Sequence, residues 1–286
     1  MMISMHSLLK VKIKRNAGTM LIYSLALFWG FATIFPLVLA VLSSFKDNAE
    51  IYLFPWQLPK SWDLVNYHKA IYDVNALRSI GNSVFVSLAT AVIVLLIGLL
   101  ASYAISRKQN FITKSANIAF VLAIMIPVHA TLIPISTLAT ALSAKNQYWF
   151  LVLVYATFNM AQAIFLISGF MSSISSEIDE AAIIDGCNEL QLLFRILTPI
   201  CLPVLFTEAI FTFVYAYGEL IFSLTLISEN QMYTVSRAML SFYGEGDLQL
   251  GPIFAFIVLS AFPSTLVYVL FHRQIQHGVM SGAIKG

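Results

Sequence analysis

Residues 180–203 read EAAIIDGCNELQLLFRILTPICLP, and they interrupt a chain that is otherwise almost continuously apolar. A helix facing lipid needs nothing but apolar side chains and its own backbone hydrogen bonds. This stretch instead carries Glu180, Asp185 and Glu189, a glycine at position 186 and two prolines, Pro199 and Pro203. Such a segment has to face something other than hydrocarbon.

The surrounding composition sets that contrast. The 286 residues are 59% hydrophobic and 10% charged, with mean hydropathy +0.84, whereas soluble domains carry about 25% charged residues. The chain therefore reads as an all-α integral membrane protein. Cys187 and Cys201 form no Cys-x-x-Cys or Cys/His cluster, so neither a disulfide framework nor a metal site is expected. No GxxxxGK[ST] loop is present, so ATP is not expected on this chain through such a loop. No nucleic-acid partner is expected.

About 20 apolar residues are required to cross the hydrocarbon core. Six segments meet that length: 19–44, 79–105, 116–141, 147–171, 201–227 and 251–271. The first follows Lys10, Lys12, Lys14 and Arg15 as a signal sequence would. It runs far beyond the roughly 7–15 residues of a signal-peptide core, so a retained span is expected. With residues 1–18 inside, the inside segments hold those four cations plus Arg107, Lys108, Lys114, Arg195, Arg273 and Lys285. The outside segments hold Lys46, Lys60, Lys69, Arg78, Lys145 and Arg237. The bias favours cytoplasmic N- and C-termini. It also places the loop 172–200 and the tail 272–286 in the cytoplasm, the loop lying within a six-span domain over 19–271 that residues 1–18 and the tail flank.

Local chemistry predicts a helix–turn–helix in that loop. Ser173 or Ser176 is placed to cap a first helix, with Ser176 and Asp179 spaced as a capping box. Glu177, Asp179 and Glu180 fall where the helix dipole favours acids. Gly186 supplies a left-handed stop, and Asn188 with Gln191 caps a second short helix. Leu190, Leu193, Phe194 and Leu197 follow at helical spacing as one apolar stripe, and Pro199 is expected to end that helix. Two fates fit such an element: resting on the lipid surface, or docking on another protein. The acidic residues oppose contact with anionic lipid headgroups.

Glu180-Ala181-Ala182, Asp185-Gly186, Ile196, Pro199 and Pro203 resemble the EAA motif of ABC importer permeases. Cys187 and Thr198 depart from the commonest residues of that motif. Phe54-Pro55, Asn66-Tyr67, Asn82-Ser83 and the 278–286 ending GVMSGAIKG are similar to the MalG-type, carbohydrate-uptake branch. The resemblance implies six transmembrane helices in the type I importer permease fold, within a bacterial cytoplasmic membrane. It implies a coupling helix at 180–197 that meets an ATPase subunit through Glu180, Ala181, Ala182, Asp185, Gly186, Leu190 and Phe194. It further implies that Gly282, Lys285 and Gly286 of the tail contact the ATPases. The implied partners are a second homologous permease, two ATPase subunits holding ATP and Mg, an extracytoplasmic solute-binding protein, membrane lipid and a sugar substrate. Glycerol phosphate or another polar solute is the alternative cargo.

Within the spans, Glu208 and Glu219 are the acidic residues. Eleven residues apart, they are expected to share one helix face about 16 Å long. Ionisable groups in spans face a cavity or a partner. Glu208, Tyr215 and Glu219 are thus candidates for a translocation path, and structural hydrogen bonding between helices is the competing role. Pro127, His129 and Pro134 are expected to break the third span, with His129 as an interhelical donor. A membrane-embedded enzyme would need a nucleophile and base; the chain has no GxSxG elbow or HExxH pair. An ion-coupled transporter could relay protons through the two glutamates but leaves the acidic loop without a role.

Overall fold

A computed structural model describes the backbone of residues 5–108, 110–242 and 248–283, and the side chains of 19–108, 110–242 and 248–271. Every regular element among the described residues is helical. In chain order these are α1 (Met5–Ser43), α2 (Asn48–Leu53), α3 (Val65–Tyr72), α4 (Ala76–Arg107), α5 (Phe111–Ile124), α6 (Leu132–Ala141) and α7 (Tyr148–Met171). There follow α8 (Ser176–Ile184), α9 (Glu189–Gln191), α10 (Thr198–Gly218), α11 (Ile221–Leu226), α12 (Val235–Met239) and α13 (Leu250–Ala283). Among the described residues, five helical stretches are long and apolar enough to cross a membrane, and a sixth arises if the bent pair α5–α6 is one span.

That pair turns by 95°. The break falls at Pro127, which has extended backbone and precedes a single 3-10 turn over Val128–Thr131. Pro134 causes no second break. It is the third residue of α6, where an amide has no partner within the helix and its absence costs little. His129 meets the Phe222 ring at 6.3 Å, in place of the interhelical hydrogen bond expected.

The fifth span also departs from expectation. Pro199 does not end a helix. Residues 192–197 form a π turn that leads straight into α10. The Thr198 amide and hydroxyl both donate to the Leu193 carbonyl, the hydroxyl at 2.7 Å. The wider i→i+5 turn lets a proline follow without breaking the rod. At its far end α10 stops at Gly218, and Glu219 is extended, with φ −68° and ψ 127°. Glu208 and Glu219 therefore do not share one helix face.

The chain divides into two compact units. One comprises residues 1–73 and 247–258. Its organising group is Lys46, fully buried. The Lys46 ammonium donates to the carbonyls of Phe54 (3.0 Å), Pro55 (3.1 Å) and Gln57 (2.6 Å), so three acceptors offset its burial. Asn66 Nδ2 donates to the carbonyls of Ser44 and Lys46. Tyr67 and Ser44 share a 2.7 Å hydroxyl contact. Gly251 lies so close that a Cβ there would stand 2.5 Å from both Asn66 Nδ2 and the Lys46 carbonyl.

The second unit comprises residues 74–246 and 259–286. Here α4, α7 and α10 pack on one another. Val86, Leu151, Tyr155, Phe222 and Ile227 belong to one buried cluster. Val94, Ile167, Leu193, Leu197, Cys201 and Val204 belong to another. Asn82 Nδ2 donates to the carbonyls of Gln231 and Tyr233, and Ser83 accepts from the Val235 amide. This pair ties the start of α4 to the segment ahead of α12.

Candidate functional site

The segment from Ser175 to Pro203 is built from local caps. Ser175, rather than Ser173 or Ser176, caps α8 by accepting from the Glu177 amide at 3.3 Å. Ser173 instead bonds back to the Phe170 carbonyl. Glu177 and Asp179 occupy the first turn, where they complement the helix dipole. At the other end the Cys187 amide bonds to the Ala182 carbonyl and the Gly186 amide to the Ile183 carbonyl. These two bonds are a Schellman motif with Gly186 at φ +83°, a conformation that costs side-chain-bearing residues energy. Asn188 and Gln191 then form a reciprocal capping box at 2.9 and 3.0 Å.

These caps sort the apolar side chains onto two faces. Ala182, Leu192, Leu193 and Leu197 are buried in the cluster around Cys201. Ile183, Ile184, Leu190 and Phe194 are between 48% and 85% exposed. The expected single stripe is thus split: Leu193 and Leu197 point inward, Leu190 and Phe194 outward. The π turn changes the angular register, so spacing read at 3.6 residues per turn fails across it. Glu180, Ala181, Asp185 and Gly186 are exposed beside the outer ridge, whereas Ala182 is core.

Two consecutive cations at the end of α4 hold this segment. Arg107 Nε lies 2.6 Å from Asp179 Oδ2. Arg107 also donates to Asp179 Oδ1 and to the Ile174 carbonyl, both at 3.3 Å. Lys108 Nζ lies 2.9 Å from Glu189 Oε2. The hydrogen bond and charge of Glu189 raise the Lys108 ammonium above the usual lysine range. From the sequence alone both cations bear only on orientation. The signal was available: two bases in one short loop and two acids in the next loop on the expected same side.

The in-span candidates fall in two places. Glu219 is buried, and its carboxylate accepts from the amides of Ile221 (2.7 Å), Phe222 (3.0 Å) and Ser223 (3.2 Å). The Tyr155 hydroxyl donates to the same group at 2.7 Å. Glu219 thus caps α11 and bridges to α7. Tyr215 contacts the Tyr155 ring edge-on at 6.1 Å, so Tyr215 and Glu219 meet through Tyr155. Glu208 lies apart from them. It is fully buried, accepts from the Thr212 hydroxyl at 3.1 Å and has Gln162 alongside. Of the expected tail contacts, Lys285 and Gly286 lie outside the described residues, and Gly282 falls in the last turn of α13.

An all-helical chain with several membrane-crossing helices and an acidic, apolar-faced helix–turn–helix between them has the form of a transport permease. Residues 95–280 match the family described as "Binding-protein-dependent transport system inner membrane component". The chain belongs to that family. It is accordingly a membrane-resident, non-catalytic transport component. It is 31% identical to the probable ABC transporter permease protein YurM of Bacillus subtilis, over 89% of this chain and 85% of that protein. It is 28% identical to the multiple sugar-binding transport system permease protein MsmG of Streptococcus mutans, over 92% and 96%. The diacetylchitobiose uptake system permease protein NgcG of Streptomyces coelicolor is 26% identical, over 92% and 88%. Among solved structures, a chain of a bacterial ABC transporter involved in alginate import superposes with TM-score 0.79 at 19% identity, over 91% of this chain and 96% of that one. The fold is that of a type I importer permease.

Proposed function

We propose that the chain is one of two permease subunits of an ATP-driven importer for a sugar or oligosaccharide. It spans the membrane six times, α5 and α6 together forming the third span, with both termini in the cytoplasm. The observation that carries the reading is the exposed ridge of Ile183, Ile184, Leu190 and Phe194 on a rigidly capped helix–turn–helix. Four apolar side chains beside Glu180 and Asp185 fit a protein groove better than an anionic lipid surface. The groove belongs to an ATPase subunit that holds ATP and Mg, and nucleotide-driven closure of two such subunits moves α8–α10. Glu180, Ala181, Asp185, Gly186, Leu190 and Phe194 make the contact, while Ala182 supports it from the core. Gly282, Lys285 and Gly286 add a tail contact. An extracytoplasmic binding protein delivers the solute to a path shared with the second permease.

The sugar assignment rests on relatives named for maltodextrin, diacetylchitobiose and multiple-sugar uptake. A relative named for sulfoquinovosyl glycerol extends the class to charged glycosides. Glu208, Tyr215 and Glu219 are proposed near the path, with Glu219 shaping it by fixing the α10–α11 break. The test is reconstitution of the complex purified from its native host. ATP-dependent uptake of a labelled panel including maltotriose and diacetylchitobiose is expected for the wild type and lost in Phe194→Ser. Uptake that persists without ATP, or an ATPase-free complex, contradicts the reading.

A further inference from the structure

Arg107 and Asp179 join two helices that carry different parts of the proposed cycle. Arg107 is the last residue of α4, and Asp179 sits in the first turn of α8. The arginine thus lies at the negative end of one helix dipole and the aspartate at the positive end of the other, so each helix end favours its own partner in the pair. Their side chains are 14% and 13% exposed, against 50% and 68% for Lys108 and Glu189. Solvent screens the second pair far more than the first. Arg107 also holds the Ile174 carbonyl, so a single guanidinium grips both α8 and the chain leading into it. The planar fork makes this grip directional, which a lysine in its place would not reproduce. Along its length α4 packs on α7 and α10.

We infer that the Arg107–Asp179 pair is the strut through which displacement of α8 is passed to α4. Resting on the proposed ATPase contact, it assigns Arg107 a positioning role at a distance from that contact. Without the strut, α8 keeps its short link to α7, the burial of Ala182 and its connection through the π turn to α10, but loses its ion pair with the end of α4. The Lys108–Glu189 pair, exposed and lacking the added carbonyl grip, is dispensable. A polar cleft of about 570 Å³ lined by Ser106, Ser172, Ser173 and Ser176 adjoins the pair, leaving room for exchanged side chains.

The test uses the complex purified with its ATPase subunits. Spin labels are placed at Glu177→Cys on α8 and Leu100→Cys on α4, in a Cys187→Ser background. Both label sites are exposed, and Cys201 is buried. The distance distribution is compared between the nucleotide-free state and ATP plus vanadate. In the otherwise unmodified complex the α8–α4 distance is expected to stay constant. Arg107→Gln and Asp179→Asn should each make it shift on ATP binding and lower the ATP-induced response of α4 roughly tenfold. Lys108→Gln should change neither. The exchange Arg107→Asp with Asp179→Arg should restore part of the constancy, only part because both helix dipoles then oppose the pair. A constant distance in Arg107→Gln, or a shifting one in the unmodified complex, overturns the strut. So does failure of the single variants to assemble with recovery in the exchange, since that identifies a folding clamp. Purification without an ATPase defeats the proposed function itself and is distinguished by the absent subunit.

Discussion

The helical rod from Glu189 to Gly218 ends in a break on either side, and the two breaks are built on opposite principles. At Gly218–Glu219 one buried carboxylate takes three amides released by the break and a tyrosine hydroxyl. At 184–198 the backbone is bonded too, by a Schellman motif, a capping box and a π turn. Yet four apolar side chains stay outside. The first break spends its chemistry on itself. The second leaves hydrophobic area uncovered on a rigid frame, which is the condition for docking rather than for stability.

Substitutions that sharpen this contrast should differ in what they damage. The largest stability loss is expected for Glu219→Ala, which leaves three amides and the Tyr155 hydroxyl unpaired. A loss of about 3 kcal/mol or more is expected, read as a lowered thermal midpoint in detergent. Gly251→Ala comes next, because its new Cβ meets the Lys46 carbonyl at 2.5 Å. Overpacking against backbone costs about 1–3 kcal/mol, and the same melting assay reads it. Gly186→Ala forces a side chain into positive φ for about 1 kcal/mol, with a larger effect on ATPase binding than on melting. Phe194→Ser should change stability by no more than about 0.5 kcal/mol, leaving the melting midpoint close to wild type, while co-purification of the ATPase falls. Equal stability losses in Phe194→Ser and Glu219→Ala would erase the distinction between the two breaks.

Much of this was readable from residues close in sequence. Gly186, the Asn188–Gln191 box and the Pro127 break all depend on neighbours within a few positions, and the structure places each as expected. What failed depended on a period or on distance. The stripe at Leu190, Leu193, Phe194 and Leu197 assumed 3.6 residues per turn, and the π turn changes that register. The shared face of Glu208 and Glu219 assumed an unbroken helix, although Glu219 itself ends it by capping α11. The Phe54-Pro55 and Asn66-Tyr67 pairs were visible as motifs. Their reason was not, because it lies in Lys46 and Ser44, which the fold brings to them. Arg107 and Asp179 are separated by three helices in the chain, so their pairing needed the packing of α4, α5 and α7 to become apparent.

The central claim is that the outer ridge of the 176–197 segment meets an ATPase. A photo-crosslinking amino acid at Ile184, the most exposed residue of that ridge, tests it in native membranes. The account predicts a crosslink to a cytoplasmic ATPase subunit, lost when Gly186→Pro disrupts the turn. Crosslinks to lipid alone, with the ATPase present in the same membranes, would contradict it.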